Sequence, residues 1–180
     1  MASAFQVRKL QGMFTAFDAD GDGCLRAEDF TALVARWRRL PAVRPGTDLD
    51  ARVESLMTGW WATLLEAGGR RGDGSVDMGG FLDVVDRLPT MAAEVTATAR
   101  TLFDAVDADG DGRISPEEHR TLVETWNGRP VDTTGLFELP DPNADGHLTR
   151  EEFASLWQQF WTSDDPTDPG NWLCGRIPAA

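Results

Sequence analysis

The chain has 180 residues, 30 Asp and Glu against 17 Lys and Arg, and a formal charge of −13. Its 41% apolar residues suffice for a core, which excludes general disorder, and at roughly 150 residues per domain it makes one domain or two small ones. The charge excludes nucleic acid and anionic membranes as partners, since both are polyanions repelled at long range, and leaves cations as the natural counterpart.

The N-terminal stretch MASAFQVRKLQGMF lacks the apolar run of a signal peptide. No later stretch approaches the ~18 apolar residues that a spanning helix needs, so a cytoplasmic protein without membrane insertion is expected. Phe14 and Phe17 lie at helical spacing ahead of residues 18–29, DADGDGCLRAED, and Phe30, Leu33, Val34 and Trp37 repeat that spacing behind it. The segment fits a calcium loop: oxygen side chains at positions 1, 3 and 5 (Asp18, Asp20, Asp22), a turn glycine at 6, a backbone carbonyl at 7 (Cys24) and a carboxylate at 12 (Asp29). Calcium takes six to eight oxygens, more than one face of a rigid element supplies, so a loop must wrap the ion. Asp29 is one methylene shorter than the usual Glu, and Arg26 stands at position 9. The shorter Asp29 reaches the ion through one oxygen or through water, which lowers coordination and favours the smaller six-coordinate Mg²⁺ as a competitor at this first site.

Between residues 61 and 88 the helical flanks recur, with Trp61, Leu64 and Leu65 before and Phe81, Val84, Val85 and Leu88 after. The loop between them reads GRRGDGSVDMGG, with Gly69, Arg71 and Gly80 where ligands belong, and no calcium is expected there. Two arginines repel the ion, at about 4 kcal/mol for a unit charge 4 Å away and an effective dielectric of 20. Pro89 then stops the helix and Thr90 is placed to cap the next, so the two halves should fold against each other.

Residues 107–118, DADGDGRISPEE, form the third loop with Asp107, Asp109, Asp111, Arg113 and Glu118 at positions 1, 3, 5, 7 and 12. Phe103 and Val106 precede it, and Leu122, Val123 and Trp126 follow. Residues 141–152, DPNADGHLTREE, form the fourth with Asp141, Asn143, Asp145, His147 and Glu152, helices being expected on both sides from Leu136 and Phe137 before and Phe153, Leu156, Trp157 and Phe160 after. Position 7 gives only its carbonyl, which is why Cys24, Arg113 and His147 share no chemistry. Apolar residues at position 8, Leu25, Val76, Ile114 and Leu148, are placed for short strand contacts between paired loops. The tail SDDPTDPGNWLCGRIPAA carries Trp172, Leu173 and Ile177 and should pack over the core rather than stand in solvent.

Loop and flanks together resemble EF-hands. The order of three competent hands with an empty second, over nearly the whole chain, resembles the sarcoplasmic calcium-binding proteins and their bacterial calerythrin type. The resemblance implies an all-α fold of four EF-hands in two pairs packed as one compact unit. Boundaries follow at 1–88 for the first pair, 89–165 for the second and 166–180 for the tail. It further implies a cytosolic calcium buffer or signal modulator holding three Ca²⁺, a monomer without catalytic activity.

The rival is a calcium sensor that exposes a surface to a target protein. Five Met against seven Trp and nine Phe suit a fixed core better than an adaptable Met-rich groove, so a target is possible but not indicated. Photoproteins of the same architecture hold a luciferin among aromatic side chains; aromatics at helical spacing are read here as core. An enzyme finds no room, because four hands use almost the whole chain, and the pairs Glu117–Glu118 and Glu151–Glu152 each give their second member to a loop. Eleven carboxylates occupy ligand positions, and removing them from −13 leaves −2, the charge of an ordinary surface.

Overall fold

A computed structural model describes residues 3–69 and 72–177. Seven α-helices run through the described residues: α1 Ala4–Phe17, α2 Ala27–Trp37, α3 Asp48–Gly68, α4 Met78–Val85, α5 Ala92–Val106, α6 Pro116–Asn127 and α7 Arg150–Thr162. Their starts follow capping chemistry. The hydroxyls of Ser3, Thr47, Ser115 and Thr149 accept from the backbone N–H three residues on and satisfy one orphan donor each. Among the described residues, no helix is long and apolar enough to cross a membrane.

The position-8 residues join the loops in pairs. Leu25 and Val76 exchange both backbone hydrogen bonds (2.8 and 3.0 Å), and β1 Arg113–Ile114 pairs antiparallel with β2 Leu148–Thr149 in the register Ile114 to Leu148. All four side chains are fully buried, which fixes the register from within.

The pairs share one core. Trp126 of α6 meets Phe17 of α1 at 5.5 Å, Trp37 of α2 at 4.8 Å and Trp157 of α7 at 6.0 Å between ring centroids. Arg36 spans the same junction, donating to the carbonyls of Ala16 (3.1 Å) and Trp126 (2.7 Å), where two helix ends leave acceptors unused. Asp104 of α5 accepts from Arg52 of α3 and Arg150 of α7, and the Trp60 indole donates to Thr98 Oγ1 at 2.9 Å. The void left between the pairs is about 50 Å³ and almost wholly apolar, too small for a multi-ring chromophore.

Two local expectations are corrected. Thr90 does not cap α5; its hydroxyl donates to Arg87 O within a 3₁₀ turn over Leu88–Thr90, and Met91 stands at the cap without a side-chain bond. The fourth hand lacks an incoming α-helix. Residues 134–140 are a string of turns, because Gly135 adopts φ +65° and Pro140 closes the segment, although Leu136 still reaches the core at 1% exposure. The tail contains a short 3₁₀ turn, Pro169–Trp172, with Leu173 buried beneath it and Trp172 and Ile177 half-buried. Leu173 O meets His119 Nε2 at 2.9 Å, and burial pushes that imidazole down to about 4 against the opposing pull of the carbonyl.

Candidate metal centres

The first and third loops begin where a helix ends. Asp18 and Asp107 keep a helical N–H bond back to Phe14 O and Phe103 O (2.9 Å each), then turn their carboxylates inward. Asp18 accepts from Gly21 N and Gly23 N (2.9 Å each); Asp107 accepts from Gly110 N (2.8 Å) and Gly112 N (3.1 Å). Positions 3 and 5 each accept from the amide two residues on: Asp20 from Asp22 N, Asp109 from Asp111 N, Asp22 from Cys24 N, Asp111 from Arg113 N and Asp145 from His147 N. These Asx turns orient the acids before any ion arrives.

Position 12 serves two purposes. Glu118 Oε2 accepts from Ser115 N and Ser115 Oγ (2.9 Å each) while Oε1 accepts from Ala108 N (2.8 Å), so it completes a capping box for α6 and ties both ends of the third loop together. Asp29 does the same with a shorter arm, through Ala19 N (2.9 Å) and Arg26 N (2.7 Å). The result is convergence: one oxygen each of Asp18, Asp20 and Asp29, and of Asp107, Asp109 and Glu118, lies within 4.8 Å of the others. At that spacing each carboxylate pair repels by about 3 kcal/mol at an effective dielectric of 20. An all-oxygen donor set suits a hard cation such as Ca²⁺ or Mg²⁺.

The fourth loop is arranged differently, for a reason legible in its chemistry. Pro142 at position 2 has no N–H to give Glu152, and the Asn143 amide nitrogen takes that place, donating to Glu152 Oε1 at 2.8 Å. With Asn143 at position 3, the fourth loop offers two carboxylates, Asp141 and Glu152, where the first and third loops gather three at positions 1, 3 and 12. Among the described residues Asp141 Oδ1 is buried without a hydrogen-bond partner, an orphaned oxygen of the kind an incoming cation would satisfy. Position 4 also stands out. Gly21, Gly72 and Gly110 hold it at φ +70° to +74°, and in the fourth loop Ala144 is forced to φ +56°. Ala144→Gly is expected to stabilise the protein by about 1 kcal/mol, read from urea unfolding.

The second loop closes without acids. Gly68 and Gly80 face each other backbone to backbone: a Cβ on Gly80 would lie 2.1 Å from Gly68 O, and one on Gly68 2.5 Å from Gly80 O. Asp77 caps α4 by accepting from Gly80 N at 3.0 Å. Arg70 and Arg71 lie outside the described residues.

In the first loop Arg26 pairs with the position-5 ligand Asp22. It also occupies the N-cap of α2, where Ser115 and Thr149 stand in the third and fourth loops and where a guanidinium, having no acceptor, cannot cap. Arg26→Ser should therefore stabilise α2 by about 1 kcal/mol and tighten calcium binding at this loop. Calorimetric titration measures the second effect, and an unchanged affinity would show that the ion pair does not compete.

An EF-hand domain-pair model matches residues 96–158, and another matches residues 2–36. Over 150 residues the chain is 32% identical to "Probable calcium-binding protein CML16" of Oryza sativa subsp. japonica, covering 82% of this chain and 76% of that relative. The chain belongs to the EF-hand calcium-binding proteins. A sarcoplasmic calcium-binding protein from amphioxus shares its fold at a TM-score of 0.72 and 21% identity, with 99% of this chain and 100% of that one covered. A Streptomyces coelicolor calcium-binding protein, described with prokaryotic calcium-mediated regulation, aligns at 0.68 and 22% identity over 87% of this chain and 98% of that one. Plant calcium-dependent protein kinases also match, but this EF-hand protein spans only about a quarter of their length. It is an EF-hand calcium-binding protein.

Proposed function

We propose that the protein is a cytoplasmic calcium buffer or signal modulator that binds three Ca²⁺ through its first, third and fourth loops. The ligands are Asp18, Asp20, Asp22, the Cys24 carbonyl and Asp29; Asp107, Asp109, Asp111, the Arg113 carbonyl and Glu118; and Asp141, Asn143, Asp145, the His147 carbonyl and Glu152. Convergence within 4.8 Å of Asp18, Asp20 and Asp29, and of Asp107, Asp109 and Glu118, carries this reading, and the orphaned Asp141 oxygen supports the fourth loop. Asn143 would bind through its amide oxygen, which accepts from Asp145 N at 3.1 Å as Asp20 and Asp109 accept from the amides two residues on. Mg²⁺ competes most at the first loop, where the shorter Asp29 lowers the coordination number.

Residues 1–88 and 89–165 act as paired units and 166–180 as a fixed cover. The continuous core around Trp126 and the buried Leu173 favour a buffer over an opening sensor, because opening would expose side chains already packed between the pairs. The sensor reading draws support from the regulatory description of the Streptomyces relative. Calorimetry with Ca²⁺, in the presence and absence of Mg²⁺, tests both the count and the competition: three sites are expected, and two or four overturns the assignment. A target retained from solution only in Ca²⁺ would favour the sensor.

A further inference from the structure

A groove of about 690 Å³ runs between α1, the stretch after α6 and the C-terminal segment, away from the loops. Its size suits a small molecule. Met13, Leu136 and Phe160 form apolar wall, while its charged lining is Lys9, Arg129 and Arg176 against Asp132 alone. That sign is opposite to the −13 of the whole chain.

Lys9, the only lysine, is 2% exposed. Its Nζ donates to two neutral acceptors, Ser163 O at 2.9 Å and Asn171 Oδ1 at 2.8 Å, and the rings of Phe5 and Phe160 stand 5.6 and 5.5 Å away. Among the described residues no carboxylate reaches ion-pair distance. Asp164 and Asp168 act on it only from farther away, and burial draws the ammonium down to about 8. Trp126, 3% exposed, lines both this groove and the void between the pairs, and its indole N–H finds no acceptor among the described residues. A buried cation without a counter-ion and a buried donor without an acceptor are both costly. An anion entering the groove relieves the first.

We propose that this groove binds a small organic carboxylate with an apolar body, the carboxylate on Lys9 and the body along Met13, Leu136 and Phe160. The inference does not depend on how many calcium ions the loops hold. The probe is cis-parinarate, a fluorescent long-chain carboxylate, titrated beside its uncharged methyl ester into the full chain. Saturable one-to-one binding is expected, with the acid about tenfold tighter than the ester because only the acid makes a charge-assisted bond to the ammonium. Lys9→Met keeps the apolar stem and should bring the acid down to the ester's affinity while leaving the ester unchanged. Equal binding of acid and ester by the unmodified protein, no saturable binding, or a preference that survives in Lys9→Met overturns the proposal. Should Lys9→Met fail to fold, the acid-to-ester ratio of the unmodified protein decides alone.

Discussion

Gly80→Glu will cost the first pair about 3 kcal/mol of stability, at the upper end for overpacking, and will add no calcium ion. The substitution places at position 12 of the second loop the residue that closes the third and fourth. By ligand counting it should move that loop toward competence. The backbone forbids it: any Cβ at residue 80 meets Gly68 O at 2.1 Å, and the obstacle is main chain at the end of α3, which no rotamer change can clear. Gly80→Ala should therefore cost about as much as Gly80→Glu, since the clash begins at Cβ. Urea unfolding and a calcium titration of both variants test this. A gain of one calcium site, or an undisturbed stability, would show that the two helices are free to separate.

Glu118→Gln will leave the calcium-free protein almost as stable as before and will remove about 4 kcal/mol of calcium-induced stabilisation, the amount one site contributes when free ion stands at about 1,000 times its dissociation constant. The two roles of Glu118 make the separation possible. Glutamine keeps one oxygen to accept from Ser115 N, so the capping box of α6 survives; its NH2 gives up the bond from Ala108 N, a loss offset by the relief of carboxylate repulsion. What is lost is the formal charge that balances the cation, in a cluster where Asp107 is already 92% removed from solvent. Thermal unfolding with Ca²⁺ and with a chelator reads both quantities. Equal calcium stabilisation in the two proteins would remove Glu118 from the site. Because Ile114 and Leu148 bridge the third and fourth loops, the loss should also weaken binding at the fourth.

Much of this molecule is legible in the order of its residues. Acids at alternate positions followed by glycine have few uses other than wrapping a hard cation, and the apolar spacing on either side marks the helices. Even the strand bridges follow from Leu25, Val76, Ile114 and Leu148 sharing one loop position. The same kind of reading failed before the fourth loop, where Leu136 and Phe137 lie at helical spacing but Gly135 and Pro140 break the helix. Two residues are too few to separate an amphipathic helix from a turn that happens to bury one leucine. It also passed over Pro142, whose missing N–H reorganises the fourth loop, and over position 4, where three glycines at positive φ mark the place that Ala144 fills under strain.

Sequence by itself determined the cation chemistry, because ligand type and spacing are local and a loop of twelve residues contains its own shell. It determined the pairing of hands for the same reason, since position 8 is read within each loop. Only the tertiary structure decided why the second hand stays closed, since the backbone contact between Gly68 and Gly80 depends on how closely α3 and α4 approach, which their spacing in the chain does not give. Only the fold could show that Trp126 joins the two pairs, and that the sole lysine ends in a groove built from both ends of the chain. These depend on which surfaces are brought together, and long-range packing is set by the whole core rather than by any segment of it.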